Sequence, residues 1–202
     1  MKVFQVAVIR PRERETGQPG TLVLASASQL DSFSFFNRGG AEEFMRFFST
    51  TIAERTEVGQ RQGISEGEYM GYVYRSQPLL STVVITDKEY PEMVAMELAT
   101  KLAREFEQQH SAAAIERATG GVGFPAVQEY LAKYQDPQQA NTILKVQKEL
   151  DETKQVLHKT IEGVLERGEK LDTLVDRSTE LSNQSKMFYK TAKKTNSCCI
   201  VM

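Results

Sequence analysis

One repeat of apolar residues dominates the last third of the chain. From Ile143 to Thr195, alternating steps of three and four residues reach sixteen positions, ten of them apolar, and no proline interrupts the series. This period is typical of a coiled coil, and as one continuous helix the segment would be roughly 80 Å long. An isolated helix of this kind leaves its seam exposed to water. The segment therefore has to pack on partner helices, pack on the N-terminal part of the chain, or stay largely unfolded.

Arg167 lies at the centre of this seam, between Val164 and Leu171. A guanidinium has five donors and no acceptor, so its burial is unfavourable unless side-chain oxygens meet it at the same level. Glutamine, asparagine or carboxylate side chains on partner helices would satisfy it, whereas a second arginine in a homodimer would repel it. The alternative is an arginine that extends to solvent from a loosely packed seam. The pattern favours partner helices of a different sequence.

The two cysteines of the chain are adjacent and follow a basic segment. Cys199 begins a C-a-a-X pattern whose final Met202 favours a farnesyl group. Cys198 is the natural second lipid site, for a palmitoyl or a second prenyl group, because two lipid chains anchor a protein far more stably than one. Beyond the last acidic residue, Glu180, come four lysines that would favour an anionic leaflet: Lys186, Lys190, Lys193 and Lys194.

The first 135 residues predict a compact α+β domain. The apolar runs 3–9, 21–27, 69–74 and 79–86 indicate strands, and helical spacing indicates helices over 41–55, 95–106 and 127–134. Strands come first, then a helix, more strands and further helices, which is an α+β order and not a βαβ repeat. The predicted organisation is a domain over 1–135, a linker over 136–142, a coiled-coil motif over 143–195 and a lipidated tail over 196–202.

Several classes of protein are excluded by what the sequence lacks. A net charge of −2 indicates no nucleic-acid partner, and no apolar run is long enough to cross a membrane. No Gly-Lys pair is present for a phosphate-binding loop. The two histidines, His110 and His158, have no second histidine or cysteine at ligand spacing. The sequence therefore predicts a protein that is not an enzyme and that uses no metal or cofactor.

Two stretches carry a resemblance to a known family. Residues 150–153 (LDET) and 164–171 (VLERGEKL) resemble the SNARE motif of R-SNAREs, the synaptobrevin class, and Arg167 matches the central arginine layer of that family. The first 135 residues look like a longin domain, a profilin-like, five-stranded antiparallel sheet with helices on both faces. The double-cysteine ending is similar to that of the prenylated longin R-SNAREs, which lack a membrane span.

This resemblance implies a role in intracellular membrane fusion. The motif would zip with three Q-SNARE helices into a four-helix bundle, each offering a glutamine to Arg167, and the tail would carry farnesyl on Cys199 and palmitoyl on Cys198. The expected location is the cytosol and the cytoplasmic face of Golgi, endoplasmic reticulum, endosomal and vesicle membranes. The expected packing layers are Ile143, Val146, Leu150, Leu157, Val164, Leu171, Leu174, Leu181 and Phe188. The alternative is a lipid-anchored coiled-coil adaptor or homodimer without fusion activity.

An aromatic patch on the first helix predicts regulation. Phe44, Met45, Phe47 and Phe48 span roughly 160° of the helix surface, more than one core face needs. We expect part of the patch formed by Phe44, Met45 and Phe48, and Phe44 above all, to be exposed in the isolated domain. It would then receive the chain's own SNARE motif or the farnesyl group in a closed form of the molecule. The alternative is that all of these are ordinary core residues.

Overall fold

The computed structural model describes residues 1–11, 21–137 and 156–197. Six strands are described: β1 (Val3–Arg10), β2 (Leu22–Ser28), β3 (Arg61–Glu66), β4 (Tyr69–Gln77), β5 (Leu80–Asp87) and β6 (Leu157–Thr160). Seven helices are described: α1 (Phe35–Glu54), α2 (Glu92–Gln109), α3 (Ala112–Arg117), α4 (Ala126–Lys133), α5 (Ile161–Val164), α6 (Leu171–Arg177) and α7 (Asn183–Ser197). The predicted α+β class is confirmed.

The strands form one sheet in the order β2-β1-β5-β4-β3-β6. Neighbours among the first five strands are all antiparallel, as expected. The sixth strand was not expected: β6 comes from the C-terminal segment and pairs in parallel with β3, from Gln62 opposite Leu157 to Ser65 opposite Thr160. It supplies partners for backbone groups at the outer edge of β3, which an edge strand otherwise leaves unpaired. The sheet is therefore six-stranded and mixed instead of five-stranded and antiparallel.

Both faces of the sheet are covered, and this explains the continuous apolar run of β1. Val6 and Val8 point into a core under α2 and α4, whereas Ala7 and Ile9 point into a second core under α1. All eight residues of β1 are buried. A strand buried on both faces loses the apolar–polar alternation of a strand with one wet face.

The helices begin where their local sequence allows. α2 and α4 each follow a proline, Pro91 and Pro125, a residue whose fixed φ angle suits the start of a helix. α1 begins at Phe35, six residues before the predicted start at Ala41, and so includes the Gly39-Gly40 pair. Strand β3 and the short helix α3 were not predicted, because neither has a clear apolar period.

The C-terminal segment is not one continuous helix over its described part. Instead of the predicted coiled-coil helix, residues 157–197 form β6 and the three separate helices α5, α6 and α7. Its apolar side chains join the core under α1, among them Ile161, Leu171 and Val175. A seam without partner helices has no stability alone, so it is buried on the nearest apolar surface of its own chain. We call this arrangement of residues 156–197 the fold-back conformation.

Candidate functional site: the folded-back motif

The predicted central residue, Arg167, lies at the tip of a turn and not in a buried layer. The turn runs from Glu166 to Glu169, and the Glu169 N–H donates to the Glu166 carbonyl at 2.8 Å. Arg167 is exposed, so water solvates its guanidinium. Gly168 occupies the left-handed region at φ 90°, which suits the third position of such a turn. Arg55, just beyond the end of α1, contacts Glu169 at 3.1 Å and holds the turn against the domain.

The predicted packing layers are divided by the fold-back conformation. Leu171 and Leu181 are buried, while Val164, Leu174 and Phe188 are partly buried and Leu157 is 40% exposed. The seam is therefore broken into separate contacts and does not form one apolar line. The other three predicted layers, Ile143, Val146 and Leu150, lie outside the described residues.

A second apolar stripe, which the seam analysis missed, carries much of the fold-back contact. Its members each lie one position after a seam residue and are at most 9% exposed: Ile161, Leu165, Val175 and Tyr189. A residue beside the seam lies on a flank of a coiled-coil helix, where apolar residues are unnecessary. Three of them, Ile161, Val175 and Tyr189, recur at intervals of fourteen residues, and this recurrence is the sequence signal that could have revealed a second binding surface.

Phe44, the centre of the predicted patch, is covered by α7. Its ring stacks on Tyr189 at 5.2 Å between centroids and lies 6.0 Å from Phe188, both on α7. On its other side Phe44 stacks on Phe48 at 6.2 Å. Met45 and Phe48 are fully buried in the same core. The structure therefore brings the predicted patch and the C-terminal end of the predicted motif together.

Helices α1 and α7 approach each other closely at Gly40. The Ser185 hydroxyl donates to the Gly40 carbonyl at 2.9 Å, and both residues are buried. A Cβ atom added to Gly40 would lie 3.1 Å from the Gln184 carbonyl oxygen and 3.3 Å from the Phe188 Cβ. The same addition at Gly39 would meet only a side-chain oxygen at 4.0 Å. The absent side chain at Gly40 lets α7 sit this close.

A polar cluster joins α6 to α7. The Asp172 carboxylate accepts from the Tyr189 hydroxyl at 2.7 Å and from Lys193 at 2.6 Å. The hydrogen bond from Lys193 and, to a smaller extent, the one from Tyr189 lower the pKa of Asp172. Glu66, on β3, lies beside the same tyrosine, and its burial raises its pKa. Burial also raises the pKa of Tyr189, with the hydrogen bond to Asp172 adding to the effect.

An apolar cavity opens beside α7. Its volume is about 560 Å³, within the range of small-molecule sites. The apolar lining comes from both the domain and the folded-back helix: Phe33, Tyr69, Met187, Phe188 and Ala192. Nearby, Phe36 accepts a hydrogen bond from the Gln184 side chain, and Phe35 and Phe36 are both exposed. The predicted lipid sites, Cys198 and Cys199, lie outside the described residues.

The described residues offer little for other chemistry. Within 1–11, 21–137 and 156–197, no group of three potential metal ligands is found. The same residues contain no helix that is both long and apolar enough to cross a membrane. His158 contacts Glu92 at 3.1 Å, and His110 stacks on Phe106, so each histidine has a structural contact.

Comparison with known proteins matches both halves of the chain. The synaptobrevin family matches residues 142–200, and the longin family, described as a regulated-SNARE-like domain, matches residues 30–131. The chain belongs to the longin-domain R-SNAREs of the YKT type, which act in vesicle transport and membrane fusion and are not enzymes. Membership implies Q-SNARE partners and association with membranes.

Individual relatives match over the full length of both chains. The synaptobrevin homologue YKT6 of Debaryomyces hansenii is 50% identical over 205 aligned positions, and that of Schizosaccharomyces pombe is 50% identical over 201. The protein of the same name from Saccharomyces cerevisiae is 47% identical over 205 positions. Each alignment covers 100% of this chain and 100% of the relative. The resemblance found in the sequence is therefore confirmed.

Proposed function

We propose that this R-SNARE is autoinhibited by its own longin domain. In the active state, residues 143–195 would form one helix in a bundle with three Q-SNARE helices. The observation that carries the proposal is the burial of Leu171 and Leu181 in the core under α1. These are seam residues, which a four-helix bundle also has to bury. Because one side chain cannot occupy both places, the fold-back conformation and the bundle exclude each other.

Assembly of the bundle would supply the free energy for fusion. Leu157, Val164 and Phe188 are incompletely buried in the fold-back conformation. Full burial of such a side chain contributes about 1.5–3 kcal/mol. Arg167 would leave its exposed turn and enter the centre of the bundle, where the glutamine of each Q-SNARE helix meets it. Zippering toward the C-terminus would then draw two bilayers together.

Lipid anchors would complete the cycle. In our proposal Cys199 carries farnesyl and Cys198 carries palmitoyl or a second prenyl group. Ala192, only seven residues before Cys199, lines the 560 Å³ cavity, so a farnesyl chain could reach the cavity in the fold-back conformation. Such a closed form would stay in the cytosol. The open form would bind the cytoplasmic face of Golgi, endoplasmic reticulum, endosomal and vesicle membranes.

The test is recovery of partners from a cell lysate by the full chain. We expect the wild-type chain to recover three Q-SNARE helices in an SDS-resistant complex. Leu174→Pro should abolish this complex, because it breaks the helix within the seam. Arg167→Leu should still assemble but accept incorrect partners, because the polar layer fixes register more than it adds stability.

The control is Thr173→Ala, at an exposed position outside both apolar stripes. This variant should assemble as the wild type does. Recovery of the bait alone, as a homodimer, would contradict the fusion proposal and favour the lipid-anchored adaptor.

The proposal also includes the end of the longin domain at residue 135 and the end of the linker at residue 142. The two family matches, over residues 30–131 and 142–200, support these boundaries.

A further inference from the structure

Helix α7 carries a row of lysines that has no acidic neighbour on its own helix. The last acidic residue of the whole chain is Glu180, which precedes the start of α7 at Asn183. Lysines on a helix are commonly balanced by acidic residues three or four positions away, and Lys186, Lys190 and Lys193 have none. On an extended helix they would form a local cluster of positive charge.

In the fold-back conformation α6 supplies oxygen atoms to these lysines. Lys190 contacts the Asp176 carboxylate at 2.8 Å, and Lys193 contacts the Asp172 carboxylate at 2.6 Å. Lys186 donates to the backbone carbonyl of Asp176 at 2.9 Å. Helix α6 thus places two carboxylates and one backbone carbonyl against three lysines of α7.

These contacts cannot exist in the extended state. Along a continuous helix, Asp172 and Lys193 would be about 31 Å apart, and Asp176 and Lys190 about 21 Å apart. Both separations exceed the Debye length of roughly 8 Å at physiological ionic strength, so the charges would no longer neutralise each other. Opening the molecule therefore exposes the lysine cluster as well as the seam.

The position of the cluster in the chain indicates its partner. α7 ends at Ser197, immediately before the two cysteines proposed to carry lipids. On a continuous helix, Lys186 would lie within about 20 Å of Cys199, and Lys193 within about 9 Å. A surface held that close to its lipid anchors faces the headgroups of the bilayer. Acidic headgroups attract lysine ammonium groups there, and each lysine raises the membrane–water partition coefficient by roughly fivefold.

We propose that Lys186, Lys190 and Lys193 form a binding surface for anionic lipid headgroups, and that Asp172 and Asp176 occupy this surface in the fold-back conformation. The anionic bilayer and helix α6 then compete for the same three lysines. An acidic leaflet would favour the open form, and a neutral one would leave the molecule closed. This inference rests on the two conformations of the proposed function and adds the lipid chemistry that selects between them.

The experiment measures binding of the full chain, made without lipid groups, to vesicles of phosphatidylcholine with and without phosphatidylserine. Asp172→Asn with Asp176→Asn should raise binding to the acidic vesicles by about fivefold or more and leave binding to neutral vesicles unchanged. Changing the three lysines to glutamine should remove the acidic-vesicle binding, in the wild-type and in the Asn background alike. Increasing salt should weaken the acidic-vesicle binding.

The matched control is Glu162→Gln with Glu180→Gln. It changes the net charge by the same amount, at exposed carboxylates that lie outside these lysine contacts. An equal rise in this control would show a net-charge effect only and would overturn the proposal. The proposal would also fail if the variant with both Asn substitutions opened the molecule without gaining binding to acidic vesicles. Recovery of Q-SNARE helices in the SDS-resistant complex is measured separately, so the proposed function can stand if the lipid surface fails.

Discussion

Gly168 adopts a backbone conformation that suits one of the two proposed states and opposes the other. At φ 90° it closes the turn after Arg167, where a residue with a Cβ atom is strained by about 1–2 kcal/mol. Within a continuous helix the same glycine is about 1 kcal/mol less favourable than alanine. Glycine therefore favours the fold-back conformation on both counts.

Gly168→Ala should shift the chain toward the extended state by about 2 kcal/mol, or roughly 30-fold in the equilibrium constant. The measurement is energy transfer between fluorophores on α1 and α7, with Cys198 and Cys199 changed to serine. Gly163→Ala is the control, because Gly163 lies in α5 outside the left-handed region and an added Cβ meets only ordinary contacts. Equal shifts in the two variants would show that helix propensity alone causes the change and that the turn conformation of Gly168 does not contribute.

Contact between α1 and α7 depends on the missing side chain of Gly40. The two helices form an extensive contact, which Ser185 and Phe44 anchor from opposite sides. Gly40 lets the backbone of α7 approach, whereas a methyl group there would meet the Gln184 carbonyl at 3.1 Å. Overpacking of this kind costs about 1–3 kcal/mol.

Gly40→Ala should loosen α7 and raise Q-SNARE assembly about tenfold, in line with that cost. Gly39→Ala adds the same methyl group and the same helix propensity to α1 at a position with space, and should leave assembly unchanged. Assembly is followed as the rate of formation of the SDS-resistant complex. The interpretation would be wrong if Gly40→Ala matched Gly39→Ala while energy transfer between α1 and α7 stayed intact.

Across the whole molecule, one segment carries two apolar stripes for two competing partners. The seam serves the proposed bundle, and the adjacent stripe of Ile161, Leu165, Val175 and Tyr189 is buried on the longin domain. Leu171 and Leu181 are shared, which makes the two states exclusive. In the proposed function, changes in the stripe beside the seam would alter the fold-back conformation and leave the bundle intact, so the strength of the proposed autoinhibition would be set independently of fusion.

Val175→Asp should separate the two functions. Val175 is completely buried in the fold-back conformation, and an unpaired charge there costs about 3 kcal/mol or more. We expect this variant to lose energy transfer between α1 and α7 yet still form the SDS-resistant complex. Thr173→Asp adds the same charge at an exposed site and should keep both properties. Loss of the complex in Val175→Asp would show that the second stripe also serves the bundle.

Sequence patterns predicted those elements whose burial follows a simple period. The strands at Val3, Leu22, Tyr69 and Leu80 and the three longer helices of the domain were found because apolar runs mark them. Strand β3 (Arg61–Glu66) was missed because its sequence, RQGISE, is mostly polar, although four of its six residues are buried between neighbouring strands and helices. Arg61 is buried there over the ring of Tyr74 at 4.0 Å, a contact that no local pattern indicates.

The sequence by itself determined the family, the α+β class of the domain, and the heptad seam with Arg167 at its centre. These follow from spacing and residue type, which are local properties of the chain. Only the tertiary structure decided the conformation of residues 157–197, for which the heptad period predicts one continuous helix. The physical reason is that an amphipathic segment takes its form from the apolar surface available to it. Here the edge of β3, the ring of Phe44 and the bare surface at Gly40 supply that surface.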